Sequence, residues 1–371
     1  MKTIGHQLTL NQAGTFKEIV IMISFKRGNL LEDNSEAIIN TVNCVGVMGK
    51  GIALQFKKAF PGNFKAYKKA CDKNQVVPGK MYIYKLEDMF TSKWIINFPT
   101  KRHWKGKSKI EDIESGLHDL ALQVHNLGIK SIAIPPLGSG LGGLEWSDVR
   151  DRIIKTFEHY THTEINIYEP IGSPSSKTMP IRTKKPRMTH GRALLIKLLQ
   201  LYAAQDYEYT KLEIQKLAYF LQESGLDLKL KYKAHDFGPY ADNLHHVLND
   251  IDGHYIKGYG DGVSRSQITL VDESISKADA FLEKHNEVES YLERVGSLIE
   301  GYETPLSLEV LSTVHWAAKY ILQDNVELDG VKTAIFNWSD RKKRFKEKYI
   351  EKAYNQLTTL GWIASDSNAF T

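Results

Sequence analysis

Apolar and polar positions along the first half of the chain predict strands and helices in alternation. Short apolar runs, typical of buried strands, occupy residues 22–30, 36–42, 79–86, 93–99 and 164–170, and a further run begins at residue 131 and leads into a glycine-rich loop. Segments between them, at 52–60, 110–128 and 147–160, have the apolar spacing of amphipathic helices. Strands that alternate with helices of this length predict a three-layer α/β domain.

The pattern changes after residue 171. Residues 172–188 are rich in Pro, Ser and basic side chains and lack apolar periodicity, which predicts a linker. From residue 189 the spacing is helical, with one candidate strand at 262–271. We therefore expect an α/β domain at 22–171, a linker at 172–188 and a mainly α-helical domain at 189–371. Residues 1–21 fit neither domain, and we interpret them as an N-terminal extension or a misassigned start.

Composition narrows the class of protein. The 371 residues are 42% hydrophobic and 25% charged, as in ordinary globular proteins. No apolar run approaches the roughly 20 residues of a membrane span, and the N-terminus lacks the order of a secretory signal. Cys44 and Cys71 have no metal-type spacing. We expect a cytoplasmic protein without membrane contact, bound metal or cofactor.

Charge is distributed unevenly. Residues 1–190 carry a net charge of +11 and residues 191–371 one of −6, with −11 in 241–330 alone. A basic first half favours nucleic acid or phosphate as its ligand, and an acidic second half favours a basic partner. The alternative is two ordinary solvated surfaces.

Two glycine-rich loops, at 46–51 and 138–143, each follow an apolar strand and precede a helix. In an open α/β sheet, ligands bind where such loops face one another beyond the strand ends. Glycine lets the backbone approach a ligand and direct N–H groups at an anion. Neither loop matches GxxxxGK[ST] or a dinucleotide fingerprint. The pair predicts a site for a diphosphate group.

Four stretches carry a resemblance to a known family. RGNLLEDNSEAIINTVNCVGVMGKGIALQFKKAFP, PGKMYIYKL, NFPTKRHW and IPPLGSGLGGLEWSDV together resemble a macrodomain, the ADP-ribose-binding fold, which has a three-layer α/β/α architecture with a mixed sheet. The resemblance covers residues 22–170. Among macrodomains the chain is most similar to the DarG antitoxins, which oppose DarT toxins that attach ADP-ribose to DNA bases. The implied activity is removal of ADP-ribose from the base, with thymine favoured on overall similarity.

The resemblance also implies which residues bind ADP-ribose. The implied contacts lie at the ends of strands and in both glycine loops: Gly28, Asn29, Leu30, Thr41, Asn43, Val47, Met48, Gly49, Lys50, Gly51, Gly138, Ser139, Gly140, Leu141, Gly142 and Tyr168. Many macrodomains place an aspartate at the position of Asn29 to bind adenine, and Asn29 can accept only through its carbonyl.

Three of these residues have alternative interpretations. Tyr168 matches an aromatic that stacks on adenine, and it is alternatively a core aromatic at a strand end. Asn43 matches an asparagine near the distal ribose, and it is alternatively a turn-forming residue. Lys50 contacts phosphate or DNA at the loop edge, or has a plain surface role.

Lys80, in VVPGKMYIY, aligns with the lysine on which this branch of macrodomains depends. A buried lysine can attack the anomeric carbon of the distal ribose or stabilise the departing base, and the resemblance implies that Lys80 is this catalytic residue. Taken from the residues alone, Lys80 is alternatively an ordinary solvated charge. Some lysine-using relatives carry an aspartate at the position of Gly142. A second acid is therefore absent here or supplied elsewhere; Glu145 and Asp148 are near in sequence, and Glu145 is expected to begin a helix.

Residues 100–109, TKRHWKGKSK, combine cations with one indole. Lys101, Arg102 and Lys105 would follow phosphates while Trp104 stacks on an unpaired base. This pattern predicts contact with ADP-ribosylated single-stranded DNA. The alternative is a basic surface loop with Trp104 packed beneath it.

The second domain carries no catalytic pattern. Residues 211–244 resemble antitoxin-type domains related to the Panacea group, and the C-terminal region of DarG proteins binds the toxin. We expect the acidic surface to bind a basic DarT toxin. Two other functions stay open: a reader that binds ADP-ribose without cleaving it, and a hydrolase of ADP-ribosylated protein or ADP-ribose derivatives.

Overall fold

The computed structural model describes residues 5–10, 16–87, 92–170, 179–203, 207–260, 266–323 and 326–364. Contacts divide the chain into two compact units, with the division between Lys184 and Lys185. Across the described ranges, no helix combines the length and apolar character that crossing a bilayer requires.

The first unit contains eight strands and four α-helices among its described residues. The strands are β1 (Gly5–Leu10), β2 (Phe16–Ile21), β3 (Ile23–Lys26), β4 (Ala37–Asn43), β5 (Tyr82–Glu87), β6 (Ser92–Lys101), β7 (Ser131–Ile134) and β8 (Glu164–Tyr168). The helices are α1 (Gly51–Ala59), α2 (Pro61–Asp72), α3 (Ile110–Asn126) and α4 (Trp146–Phe157). Strands β1 and β2 form an antiparallel hairpin.

Six strands form one mixed sheet in the order β3-β8-β7-β4-β6-β5. All neighbours are parallel except the edge strand β5, which runs antiparallel to β6. The carboxyl ends of five strands therefore lie at one edge of the sheet, and β5 begins on the side toward that edge, with Tyr82 opposite Asn97 of β6. The predicted mixed sheet is confirmed.

Consecutive apolar residues in the central strands explain the three layers. Ile39 and Ile96 belong to the core beneath α3 and α4, whereas their neighbours Ile38 and Ile95 pack with Phe56 of α1. Successive strand side chains point to opposite faces, so unbroken apolar runs require helices on both faces. The predicted α/β/α architecture is confirmed.

Two helix starts show how local signals act. Pro61 occupies the first turn of α2, where its missing N–H costs no hydrogen bond. Glu145 is the N-cap of α4, as expected of a helix-start residue, and Ser147, a plausible cap by residue type, lies inside the first turn.

The second unit is mainly helical in its described part, as predicted. Its helices are α5 (His190–Tyr202), α6 (Lys211–Glu223), α7 (Leu244–Ile251), α8 (Asp272–Leu282), α9 (Glu289–Ile299), α10 (Pro305–Trp316), α11 (Leu328–Trp338) and α12 (Glu347–Thr359). Its short strands are β9 (Tyr232–Lys233), β10 (Tyr240–Ala241), β11 (Ile256–Lys257) and β12 (Thr269–Leu270). The pairing of β12 with β11 accounts for the end of the strand signal at 262–271, and residues 262–265 lie outside the described residues.

Candidate active site

The two glycine loops face each other at the carboxyl edge of the sheet. A β-carbon built on Gly51, the first residue of α1, would lie 3.7 Å from Cδ1 of Leu141 at the tip of the second loop. Among the described residues, no protein acceptor pairs with the backbone N–H groups of Gly49, Gly140 or Leu141. Unpaired N–H groups beside a helix N-terminus form a site suited to an anion.

Asn43 gives the first loop its shape. Its side-chain oxygen Oδ1 accepts hydrogen bonds from the N–H groups of Val45 at 3.0 Å and Val47 at 3.3 Å. Its amide donates to the carbonyl of Val47, and the Tyr67 hydroxyl donates to the backbone carbonyl of Asn43. The side chain is buried. This geometry is that of the turn-forming alternative, and the ribose contact of Asn43 stays a prediction.

The second loop is closed tightly at Gly142. A β-carbon there would lie 2.1 Å from the carbonyl oxygen of Gly138 and 2.3 Å from the Ser108 hydroxyl. The Ser108 N–H donates to the Gly142 carbonyl at 3.0 Å. The loop therefore has no room for the aspartate that some relatives carry at this position. Steric overlap thus explains why residue 142, in LGGLEW, is a glycine.

Lys101 lies beside the second loop. Its ammonium group donates to the carbonyl of Leu141, and partial burial lowers its pKa. The structure thus places the end of β6 against the loop tip. This position ties Lys101 to the loop, and its DNA contact stays a prediction.

Gly28 and Asn29 form the turn after β3. Gly28 has a φ of +116°, a conformation that favours glycine. Asn29 caps the short 3-10 turn Leu30–Glu32 by accepting from the N–H of Leu31, and its amide donates to Glu32 at 2.8 Å. One lone pair of its carbonyl is thus used within the turn, and the adenine contact stays a prediction.

Tyr168 is buried at the end of β8, 8% exposed, and packs with Leu30 and Leu31. Its hydroxyl donates to Asp33 at 2.8 Å, and burial followed by this carboxylate raises its pKa. The location is that of the core-aromatic alternative. Stacking on adenine stays a prediction, and it would require a ring face that this structure keeps covered.

Asp33 is a buried carboxylate that the sequence interpretation did not single out. Burial by itself would raise its pKa, but hydrogen bonds from Ser35, Lys26 and Tyr168 outweigh burial and lower the pKa to about 2. Asp33 and Ser35 two residues apart are a local turn signal. The partners on β3 and β8 become visible only in the fold.

Lys80 lies immediately before β5, at the same sheet edge as the loops. Its Nζ is 2.9 Å from Oδ1 of Asp119 on α3, and its side chain is 67% exposed. The side chain is largely solvated because the lysine precedes an edge strand and not a central one, and the catalytic role of Lys80 stays a prediction. A catalytic Lys80 would therefore act as a largely exposed amine that pairs with Asp119.

The carboxylate near Lys80 was missed by the sequence interpretation. Glu145 and Asp148 are exposed at the start of α4, whereas Asp119 contacts the lysine. A usable signal was present: Asp112 and Asp119 are seven residues apart, on one face of a helix whose neighbouring residues are apolar and buried. Asp112 pairs with Arg102 at 3.1 Å.

Trp104 is exposed on the basic loop after β6, at 49%. The Lys105 ammonium lies 5.0 Å from its ring centroid, and His103 contacts the indole at 5.5 Å between ring centroids. The alternative in which the indole packs beneath the loop is wrong.

Lys50 is exposed at the N-cap of α1.

In the second unit, buried charges concentrate around Glu309. Its carboxylate accepts from Arg341 at 3.0 Å and from Lys342 at 2.8 Å. Burial lowers the pKa of Lys342 to about 8 even though Glu309 acts in the opposite sense. In another part of this unit, His190, His285 and Glu287 place three possible ligand atoms within 4.8 Å of one another.

Comparison with known proteins defines the relatives of the chain. Residues 39–153 match the Macro domain family. The chain is 44% identical to a DNA ADP-ribosyl glycohydrolase of Thermus aquaticus, over 92% of this chain and 94% of that protein. It is 38% identical to a DNA ADP-ribosyl glycohydrolase of Mycobacterium tuberculosis, over 87% and 95%. A DNA ADP-ribosyl transferase-DNA ADP-ribosyl glycohydrolase fusion protein of Thermosipho africanus is 37% identical over 43% of each chain.

Proposed function

Since this chain belongs to the DarG family of DNA ADP-ribosyl glycohydrolases and removes ADP-ribose from DNA, we propose that its substrate is ADP-ribosylated thymine in single-stranded DNA. We propose further that Lys80 is the catalytic residue and that the protein also neutralises a DarT toxin. The observation that carries the catalytic proposal is the position of Lys80. Lys80 precedes β5, which runs antiparallel to β6, and therefore lies on the side of the sheet toward which the parallel strands and the two glycine loops point. Thymine is proposed on overall similarity to the DarG antitoxins.

The facing loops support a diphosphate site. The N–H groups of Gly49, Gly140 and Leu141 have no acceptor among the described residues, and the N-terminus of α1 adds a favourable dipole. We place the adenine toward Asn29 and the distal ribose toward β5. This orientation brings the anomeric carbon to the side of the site that holds Lys80.

Two roles are open to the Lys80 amine. As an uncharged group it would attack the anomeric carbon: a carbon–nitrogen bond to the lysine forms as the bond to the base breaks, and a proton from the amine passes to the base. The adduct would open to an imine, and water would then release ADP-ribose and free the lysine. As an ammonium group it would stabilise the departing base while water adds to the anomeric carbon and a proton ends on the base. Asp119 lies 2.9 Å from the amine and could accept a hydrogen bond from it in either role. Borohydride trapping of a covalent lysyl adduct during turnover would favour the first role.

The exposed indole of Trp104 supports a single-stranded substrate. Unpaired bases stack on exposed aromatic rings, and the nearby Arg102 and Lys105 would bind phosphates. A base in a single strand also needs no unpairing before it enters the site.

The decisive experiment is incubation of the full chain with single-stranded oligonucleotides ADP-ribosylated on different bases, and with ADP-ribosylated protein. Release of ADP-ribose from thymine-modified DNA is expected. Lys80→Ala should abolish release and keep ADP-ribose binding in calorimetry. Full activity of Lys80→Ala would refute the catalytic role, and binding without release by the unaltered enzyme would favour a reader.

Toxin neutralisation is supported by charge and by one relative. The Thermosipho africanus relative carries the transferase and the glycohydrolase in one protein, which suits partners that act together. Residues 241–330 carry a net charge of −11, which complements a DNA-binding groove. We expect full-length Lys80→Ala to displace labelled DNA from DarT; no displacement would refute the proposal. Because DNA is the substrate, we place the protein in the cytoplasm.

A further inference from the structure

Asp119 is a buried carboxylate whose two oxygens have different partners. Oδ1 accepts from the Lys80 ammonium at 2.9 Å, and Oδ2 accepts from the backbone N–H of Met81 at 2.8 Å. The Asp119 side chain is 5% exposed, whereas that of Lys80 is 67% exposed. The buried Asp119 carboxylate thus holds the end of the exposed Lys80 side chain.

The backbone contact makes this anchor rigid. Asp119 belongs to α3, whose neighbouring Leu120 is completely buried, and its second oxygen is held by the chain that leads into β5. An exposed lysine has a long side chain whose rotamer freedom is lost when its amine is held in one place. Because Asp119 is held both by its buried helix and by the Met81 N–H, it confines the Lys80 amine to one position before substrate binds.

From this geometry we infer that Asp119 is the positioning residue of Lys80, holding its amine at the sheet edge where the ribose binds. The inference rests on the proposed catalytic role of Lys80. Asp119 provides from α3 a carboxylate that the second loop cannot provide, because a β-carbon at Gly142 would overlap the carbonyl of Gly138. The carboxylate that pairs with Lys80 therefore comes from helix α3.

A purely structural role for Asp119 makes a different prediction. In that case the carboxylate serves only to bind the Met81 N–H and to hold the start of β5. Asp119→Asn separates the two roles, because the amide oxygen still accepts from Met81 while the NH2 group cannot accept from an ammonium. The backbone contact survives and the contact with Lys80 does not.

Asp112→Asn is a matched control. Asp112 lies two turns earlier on the same helix, is also buried, and also pairs with a cation at this sheet edge, Arg102. Its replacement costs α3 a comparable ion pair and leaves Lys80 untouched. We expect Asp119→Asn to lower kcat about 10- to 100-fold and to change the Kd for ADP-ribose less than twofold. Asp112→Asn should keep kcat within threefold at saturating substrate.

An unchanged kcat in Asp119→Asn, or an equal loss in Asp112→Asn, would overturn the inference. An inactive Lys80→Ala beside a fully active Asp119→Asn would overturn it and leave the proposed function standing, whereas an active Lys80→Ala would remove the proposed function itself. Should Asp119→Asn not fold, NMR of ¹⁵N-lysine in the unaltered chain decides. A slowly exchanging ammonium signal that Lys80→Arg removes is expected, and a freely exchanging Lys80 would overturn the inference.

Discussion

Gly51 and Leu141 face each other across the carboxyl edge of the sheet, with 3.7 Å between a β-carbon built on Gly51 and Cδ1 of Leu141. The two residues come from loops that are about 90 positions apart in the sequence. Their approach turns two separate glycine-rich segments into one site.

Gly142→Ala should destabilise the second loop. The added methyl group overlaps the Gly138 carbonyl and the Ser108 hydroxyl, and such overpacking typically costs about 1–3 kcal/mol. Urea unfolding should show this loss, and calorimetry should show weaker binding of ADP-ribose. Gly140→Ala is the control for stability, since its β-carbon meets nothing within 4 Å and its unfolding free energy should hold within about 0.5 kcal/mol. Equal stability of the two variants would contradict the steric account.

Trp104→Ala should weaken binding of DNA without weakening binding of ADP-ribose. Stacking of a base on an exposed indole is worth about 1–3 kcal/mol, so KM for an ADP-ribosylated single-stranded oligonucleotide should rise roughly tenfold or more. The Kd for free ADP-ribose should be unchanged. A similar loss for both ligands would place the indole in the nucleotide site.

Asp33→Asn should lower stability in a pH-dependent way. The pKa of Asp33 is about 2 in the folded protein against 3.8 for an unperturbed carboxyl. Its ionised form therefore stabilises the fold by about 2 kcal/mol above pH 3.8, and this contribution is lost as the pH falls toward 2. Urea unfolding of the full chain should separate the variant from the parent at pH 7 and less so at pH 3. A difference independent of pH would show that shape, and not charge, matters at this position.

Glu309→Gln should destabilise the second unit strongly. It removes the charge that Lys342 and Arg341 share, and breaking a buried pair costs about 3–5 kcal/mol because one charge is left uncompensated. Chemical denaturation followed by far-UV circular dichroism measures the loss. Glu347→Gln removes an exposed carboxylate that pairs with Lys332, and it should cost much less because water can replace the lost partner. Comparable losses in the two variants would argue against a buried network.

Much of the active-site edge could be predicted because its signals are local. Glycines followed by helix periodicity at 46–60 and 138–157 indicate loops that lead from strands into helices, and unbroken apolar strands indicate a sheet covered on both faces. The motif around Lys80 predicted that this lysine is catalytic. It could not show the exposure of that lysine, because exposure depends on which strand forms the edge of the sheet.

The sequence by itself determined the α/β/α class, the helical second half and the two backbone loops, since these depend on periodicity and on residues that permit special conformations. Only the tertiary structure decided the pairing of Lys80 with Asp119, the contact of Lys101 with the second loop and the burial of Tyr168 beside Asp33. Each of these depends on strand order and on the register of a helix against the sheet. Those quantities follow from packing of the whole domain, so no local pattern of residues contains them.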